Sequence, residues 1–182
     1  MQCSIPTKNL QAHLPGMQLQ IAEFPRDEEL VQDLLLESDL LVLKNAGIDR
    51  VDFCDELLNI SVEYCSSSAI ALIATHDHLA TGVGLVKVVP KSHCLIPYAF
   101  ARGGANGVDA FECLLGFVIG LCARYVCNRI YLPAIPHADG MYELAVGAGF
   151  RTLQDDAWIT GMNSQLDEAI SLYLDVPIIH LH

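Results

Sequence analysis

Between Phe100 and Glu112 the chain reads FARGGANGVDAFE, three glycines, an arginine and an asparagine set between an apolar strand-like run and a long apolar helix-like run. Glycine has the largest backbone entropy to lose on folding, so a cluster of it marks a place where the chain turns tightly or comes close to something. Where such a turn opens a helix, the free N–H groups of the first turn make an anion site. The planar fork of Arg102 suits the same task, since a guanidinium can pair two oxygens of a phosphate at once.

Other residues of chemical type carry less. His76 and His78 have an i, i+2 spacing that His180 and His182 repeat, but no carboxylate or cysteine set completes a metal site around either pair, and none is expected. A polar hairpin turn and a tail account for them. His93 and Cys94 are adjacent, and neighbours on a strand point to opposite faces, so they do not form a nucleophile and its base. Gly116 and Gly120 are read as close packing in a core helix, and the acidic run after Pro25 as a helix-start face.

Composition narrows the classes. The chain has 182 residues, 52% of them hydrophobic and 18% charged, with a formal net charge of −12. That length suits one domain with a sizeable core, and the apolar surplus points to extensive burial, including a homodimer contact. The negative charge opposes nucleic acid and anionic membranes and favours a cationic or amine-bearing partner. Seven cysteines, with no CxxC pair, fall largely in apolar segments where a thiol acts as a small hydrophobe; a reducing cytoplasm fits them. Residues 1–16 read as a loose leader without an apolar signal core. Ala110 to Cys127 is interrupted by Glu112 and Arg124, leaving a run too short to span a membrane.

The elements that must position these residues follow from periodicity. Residues 17–24 alternate as a half-buried strand; Pro25 and an acidic turn open a leucine-rich helix to about Leu43. A second short helix is expected over Asp49–Leu58. Residues 69–89 read as a hairpin broken at THDH, and Cys94–Phe100 as a strand interrupted by Pro97. The long helix is expected from Val108 to Cys127, which places Asp109 and Glu112 in its first turn, followed by a strand over 129–135. A helix over 139–147 stops at Gly147-Ala-Gly149. Residues 151–162 alternate as a strand, Ser164–Asp167 has capping-box form for a helix to about Leu174, and the tail from Val176 is a candidate final strand. Such an order describes an α/β (α+β) fold: a mixed, mostly antiparallel central sheet flanked by helices on both faces.

That order, with a glycine loop between the fourth strand and the third helix, resembles the GNAT superfamily of N-acetyltransferases over about residues 17–162. The family's Arg/Gln-x-x-Gly-x-Gly/Ala pattern is met by Arg102 and Gly107, with Ala105 in the middle position. Leu132, Ala134, Leu144 and the Gly149-Phe150 pair stand where its second signature wants apolar residues and its terminal pair. The resemblance implies a single acyl-CoA N-acyltransferase-like domain, with residues 163–182 as an extension.

It further implies acetyl-CoA as co-substrate. Arg102, Gly103, Gly104, Ala105, Asn106 and Gly107 would hold its diphosphate on main-chain N–H groups, with charge added by Lys87 or Lys91 and with Tyr98 in the cofactor-binding set. A splay between the fourth and fifth strands would take the pantetheine arm. Acetyl transfer to the amine of a small molecule or peptide needs a deprotonated nucleophile, donors for the developing oxyanion and an acid for the leaving thiolate. The family's tyrosine acid falls at Ala145 in this chain. Tyr142, about one turn earlier, is the candidate acid, and His137 the candidate base.

Overall fold

The computed structural model describes residues 16–46, 59–102, 105–134, 141–152 and 170–176. Its centre is the pair β3 (Ala69–His76) and β4 (Leu79–Val89), which form a hairpin because two β-favouring runs flank the turn at Asp77 and His78. Both turn residues have positive φ, the backbone twist that tight hairpins prefer. β1 (Met17–Ile21) pairs with β3 on its far side, and the two-residue β2 (Cys65–Ser66) also joins β3. β5 (His93–Ala101) pairs antiparallel with β4, and β6 (Arg129–Ala134) joins β5 in parallel. The remaining order is β8 (Ile170–Asp175), then β7 (Arg151–Thr152), giving an eight-stranded sheet in which only β5 and β6 run parallel.

Strand alternation divides the core in two. Ala71, Ile73, Val83 and Leu85 point toward α1 (Glu28–Ala46) and the single turn α2 (Ile60–Glu63), where Val31, Leu34 and Leu35 make a helical stripe. Ile70, Leu72, Val86 and Val88 point the other way, toward α3 (Ala105–Tyr125) and α4 (Met141–Gly147). Helices thus cover both faces of the sheet, as the sequence pattern requires. α3 is apolar on most of its surface but packs on one face only, and among the described residues no helix is long and apolar enough to cross a membrane.

Three sequence expectations need correction. Residues 170–175 form strand β8 between β6 and β7, where a helix to Leu174 was expected. Ile170, Leu172 and Leu174 already alternate at the strand period, and pairing along six residues of β6 outweighs a local capping signal. α3 begins at Ala105 and not Val108, so Asp109 lies in its second turn. Lys87 and Lys91 sit toward the far end of β4 and β5: Lys87 is opposite Leu95 and ion-paired with Glu63 at 2.8 Å. Seven extended residues from Leu95 to Arg102 span about 23 Å, beyond the reach of a lysine. The expected helix over 49–58, most of the strand over 151–162 and the tail from residue 177 lie outside the described residues.

α3 and α4 end in the same way. After α4, Phe150 N–H bonds the Ala145 carbonyl and Gly149 N–H the Val146 carbonyl, with Gly149 at φ +99°. After α3, Cys127 N–H bonds the Cys122 carbonyl at 2.8 Å and Val126 N–H the Ala123 carbonyl at 3.4 Å, with Val126 at φ +57°. Both are Schellman caps. Glycine fills the left-handed position in one; a β-branched residue fills it in the other, at a strain of about 1–2 kcal/mol. Val126 is 48% exposed, so little packing is lost with its side chain. Val126→Gly is therefore expected to raise unfolding free energy by up to about 1 kcal/mol in urea titration.

Candidate functional site

The distinctive feature of the sheet is the boundary between β5 and β6. Their parallel ladder holds only for His93, Cys94 and Leu95 against Arg129, Ile130 and Tyr131. Beyond it β6 continues along β8 and β5 continues along β4, and among the described residues no strand pairs with the edge of β5 facing the gap. The cause lies one residue further on. Leu85 is opposite Tyr98 and Lys87 opposite Leu95, so Ile96 and Pro97 together face Val86 alone. This is a β-bulge, and it bends the strand that carries it. Pro97 cannot donate to a ladder, which suits a strand whose outer edge is free.

The bulge also exchanges the faces of β5. Cys94 and Ile96 belong to the core under α3, and so do Ala99 and Ala101, whereas Tyr98 packs with the α1 cluster. Even positions face α3 before the bulge and odd positions after it. Tyr98 is half-buried against the α1-side cluster.

The free edge of β5 runs directly into the N-terminus of α3. Ala105, Asn106 and Gly107 are its first three residues, and the N–H groups of a first helical turn have no partner within the helix. Gly103 and Gly104 lie outside the described residues. At Gly107 the need for glycine is steric: a Cβ there would stand 1.6 Å from the carbonyl oxygen of Arg102. Arg102 itself is held back from the helix end. Its Nε lies 3.0 Å from both carboxylate oxygens of Glu37 on α1, Nη2 lies 2.7 Å from one of them, and Nη1 donates to the Ala80 carbonyl at 2.8 Å. The Glu37 hydrogen bonds push the guanidinium pKa further up, while half-exposure limits such a pair to about 0–1 kcal/mol. Arg102 therefore meets an incoming phosphate only by exchanging one anion for another.

On α4, Tyr142 is half-buried against the core on the α3 side, and Ala145 is fully buried there. His137 lies outside the described residues, as do His180 and His182. His76 ends β3 and His78 lies in the β3–β4 turn, so they do not share a strand face. His93 stacks edge-on against Tyr131 at 5.3 Å, away from Cys94 in the opposite core, and burial lowers its pKa.

In the sequence the cysteines are scattered through apolar segments. Cys94, Cys122 and Cys127 are instead gathered, their sulfurs all within 4.8 Å of one another. They come from three elements up to 33 positions apart, so no local spacing signals them.

Comparison with known proteins agrees with this geometry. Neither a protein-family model nor a curated protein matches the chain by sequence. Solved structures do match in shape. An acetyltransferase of the GNAT family from Staphylococcus aureus Mu50 has a TM-score of 0.67 at 23% identity, covering 87% of this chain and 99% of that one. An acetyltransferase from Streptococcus agalactiae gives 0.64 at 13% identity, over 89% and 99% of the two chains. The PaiA N-acetyltransferase from Thermoplasma acidophilum, solved in complex with coenzyme A, gives 0.63 at 14%, over 86% and 98%.

The close approach at Gly107 makes a sharp prediction. Gly107→Ala places a methyl group inside backbone that cannot move alone, and is expected to cost about 3 kcal/mol or more in chemical unfolding, where alanine in a helix otherwise stabilises relative to glycine. Strand order, the parted parallel pair and helices on both faces together give the chain the fold of the GNAT N-acetyltransferases.

Proposed function

We propose that the protein is an acetyl-CoA-dependent N-acetyltransferase that delivers an acetyl group to the amine of a cationic small molecule or peptide by direct attack. The observation that carries this reading is the parting of β5 from β6 beside the N-terminus of α3. An extended amide-bearing chain ending in a diphosphate needs two kinds of partner, a free strand edge and a ring of unpaired N–H groups, and here the one leads into the other.

Acetyl-CoA, when bound, supplies an acyl group activated as a thioester. The first-turn N–H groups of Ala105, Asn106 and Gly107 receive the diphosphate, where the helix dipole adds to their attraction. Asp109, one turn further in, no longer stands among those donors. The free edge of β5 after Leu95 accepts the amide arm as an added strand would, with Pro97 the one position that offers no donor. Tyr142 is assigned to protonate the leaving sulfur, the position four residues before Gly149 being closed by Ala145. Residues bearing the net charge of −12 draw in a cationic acceptor. The acceptor enters as the neutral amine, having released its proton to solvent or to His137.

A second reading is favoured by one observation. Ala145 is completely buried where the family's acid would stand, which suits a module that binds acyl-CoA without turning it over.

Thermal unfolding with coenzyme A and thiol release from acetyl-CoA against an amine panel separate the two. A stabilising shift with turnover is expected, and Tyr142→Phe is expected to lower kcat about 100-fold while leaving the shift intact. A shift without turnover on any amine establishes the binding module. Absence of a shift at millimolar coenzyme A overturns both readings.

A further inference from the structure

The end of α3 remote from the acyl site holds an arrangement that N-acetyl transfer does not use. Cys94 lies on β5, Cys122 in the last turn of α3 and Cys127 just past its cap, and all three are at most 1% exposed. Buried cysteines are commonly small hydrophobes, and a pair in contact would need no other account. Three sulfurs mutually within 4.8 Å are different, because one ion placed among them can be reached by all three. The backbone is also strained to bring them there. In a Schellman cap the residue after the left-handed position packs on the helix three residues before the cap. Here those two residues are Cys127 and Cys122, and the left-handed position that swings one onto the other is Val126.

We propose that Cys94, Cys122 and Cys127 form a three-sulfur site for one copper(I) ion. Metal–thiolate bonds of about 2.3 Å around a three-coordinate ion set the sulfurs about 4.0 Å apart. The observed triangle needs to contract by less than an ångström to meet that. Thiolate ligands select soft ions. Among the described residues no fourth His, Cys, Asp or Glu joins the cluster, which disfavours zinc with its preference for four ligands. Each copper–sulfur bond replaces an S–H bond whose proton leaves to solvent, and copper remains copper(I) throughout.

A hydrogen bond to Cys122, then burial, raises the pKa of Cys94, and burial pushes Cys127 up to about 11. Backbone groups of Ser92 and Lys91 work the other way at Cys127, favouring its thiolate. Access lies through the cap, where Val126 and Asn128 on either side of Cys127 are exposed.

The chain's other cysteines are removed to isolate the cluster. A variant carrying Cys3→Ser, Cys54→Ser, Cys65→Ser and Cys113→Ser is titrated anaerobically with copper(I) against a chromophoric chelator. It is expected to take up one equivalent, with X-ray absorption reporting three copper–sulfur bonds and the melting temperature rising by several degrees. Adding Cys122→Ala, with folding checked by circular dichroism, is expected to weaken uptake at least 100-fold. Should that extra substitution disturb folding, the metal-dependent rise in melting temperature of the parent variant decides instead. Uptake below half an equivalent, uptake unaffected by Cys122→Ala in folded protein, tighter binding of zinc than of copper(I), or no rise in melting temperature would each overturn the assignment.

Discussion

β5 cannot be paired on both edges along its whole length, and the rest of the candidate site depends on that constraint. The double residue Ile96-Pro97 opposite Val86 bends the strand and turns its outer edge away from β6 after three ladder positions. Main-chain N–H and C=O groups need partners wherever water is scarce. A gap inside a sheet therefore differs from an ordinary outer edge: it lies between two strands anchored elsewhere, β5 on β4 and β6 on β8. A ligand with amides of its own can complete what the sheet leaves unmade.

The same bulge sets what surrounds the gap. It puts Ala99 and Ala101 under α3 and sends Tyr98 to the α1 side, so small residues line the strand face beneath the helix. At the end of β5 the carbonyl of Arg102 presses against Gly107, fixing where the first turn of α3 begins. Arg102 then reaches back to Glu37 and Ala80, tying α1 and the start of β4 to the same corner. Backbone geometry positions the N–H donors, and the charged side chain braces the frame around them.

Much of this was legible in the sequence, and for physical reasons. Alternation in 69–89 and the 3.6-residue stripe of α1 are local records of which face is buried. Pro97 announced an edge or splay because it lacks a donor. What was not legible depended on distant chain. β8 carried both a capping signal and an alternating pattern, and its choice between them lies in β6, some forty residues away. The start of α3 is hidden because glycine favours loop, although Gly107 is helical and required by the Arg102 carbonyl. The exchange of faces on β5 was hidden as well, since a bulge is counted only against its partner strand. The cysteine triangle had no local signature, being assembled by a strand, a helix end and a cap.

α3 separates the two proposed sites. From Ala105 to Cys122 is 17 residues of helix, about 26 Å at 1.5 Å per residue. A metal at the C-terminal end therefore touches none of the N–H groups at the other, and a diphosphate at the N-terminus is too far from the thiols to shift their protonation through water-screened charge. The two ends also differ in kind. The N-terminal end offers unpaired donors and helix dipole to an exposed anion, whereas the C-terminal end offers buried polarizable sulfur to a cation. The two ends are linked by the helix itself and by the β5 strand beneath it, whose Cys94 stands before the bulge and whose free edge begins after Leu95. Damage confined to the sulfur triangle should thus leave the parted edge intact, because the ladder from Lys87 to Leu95 and the bulge beyond it are made by main chain and not by thiols.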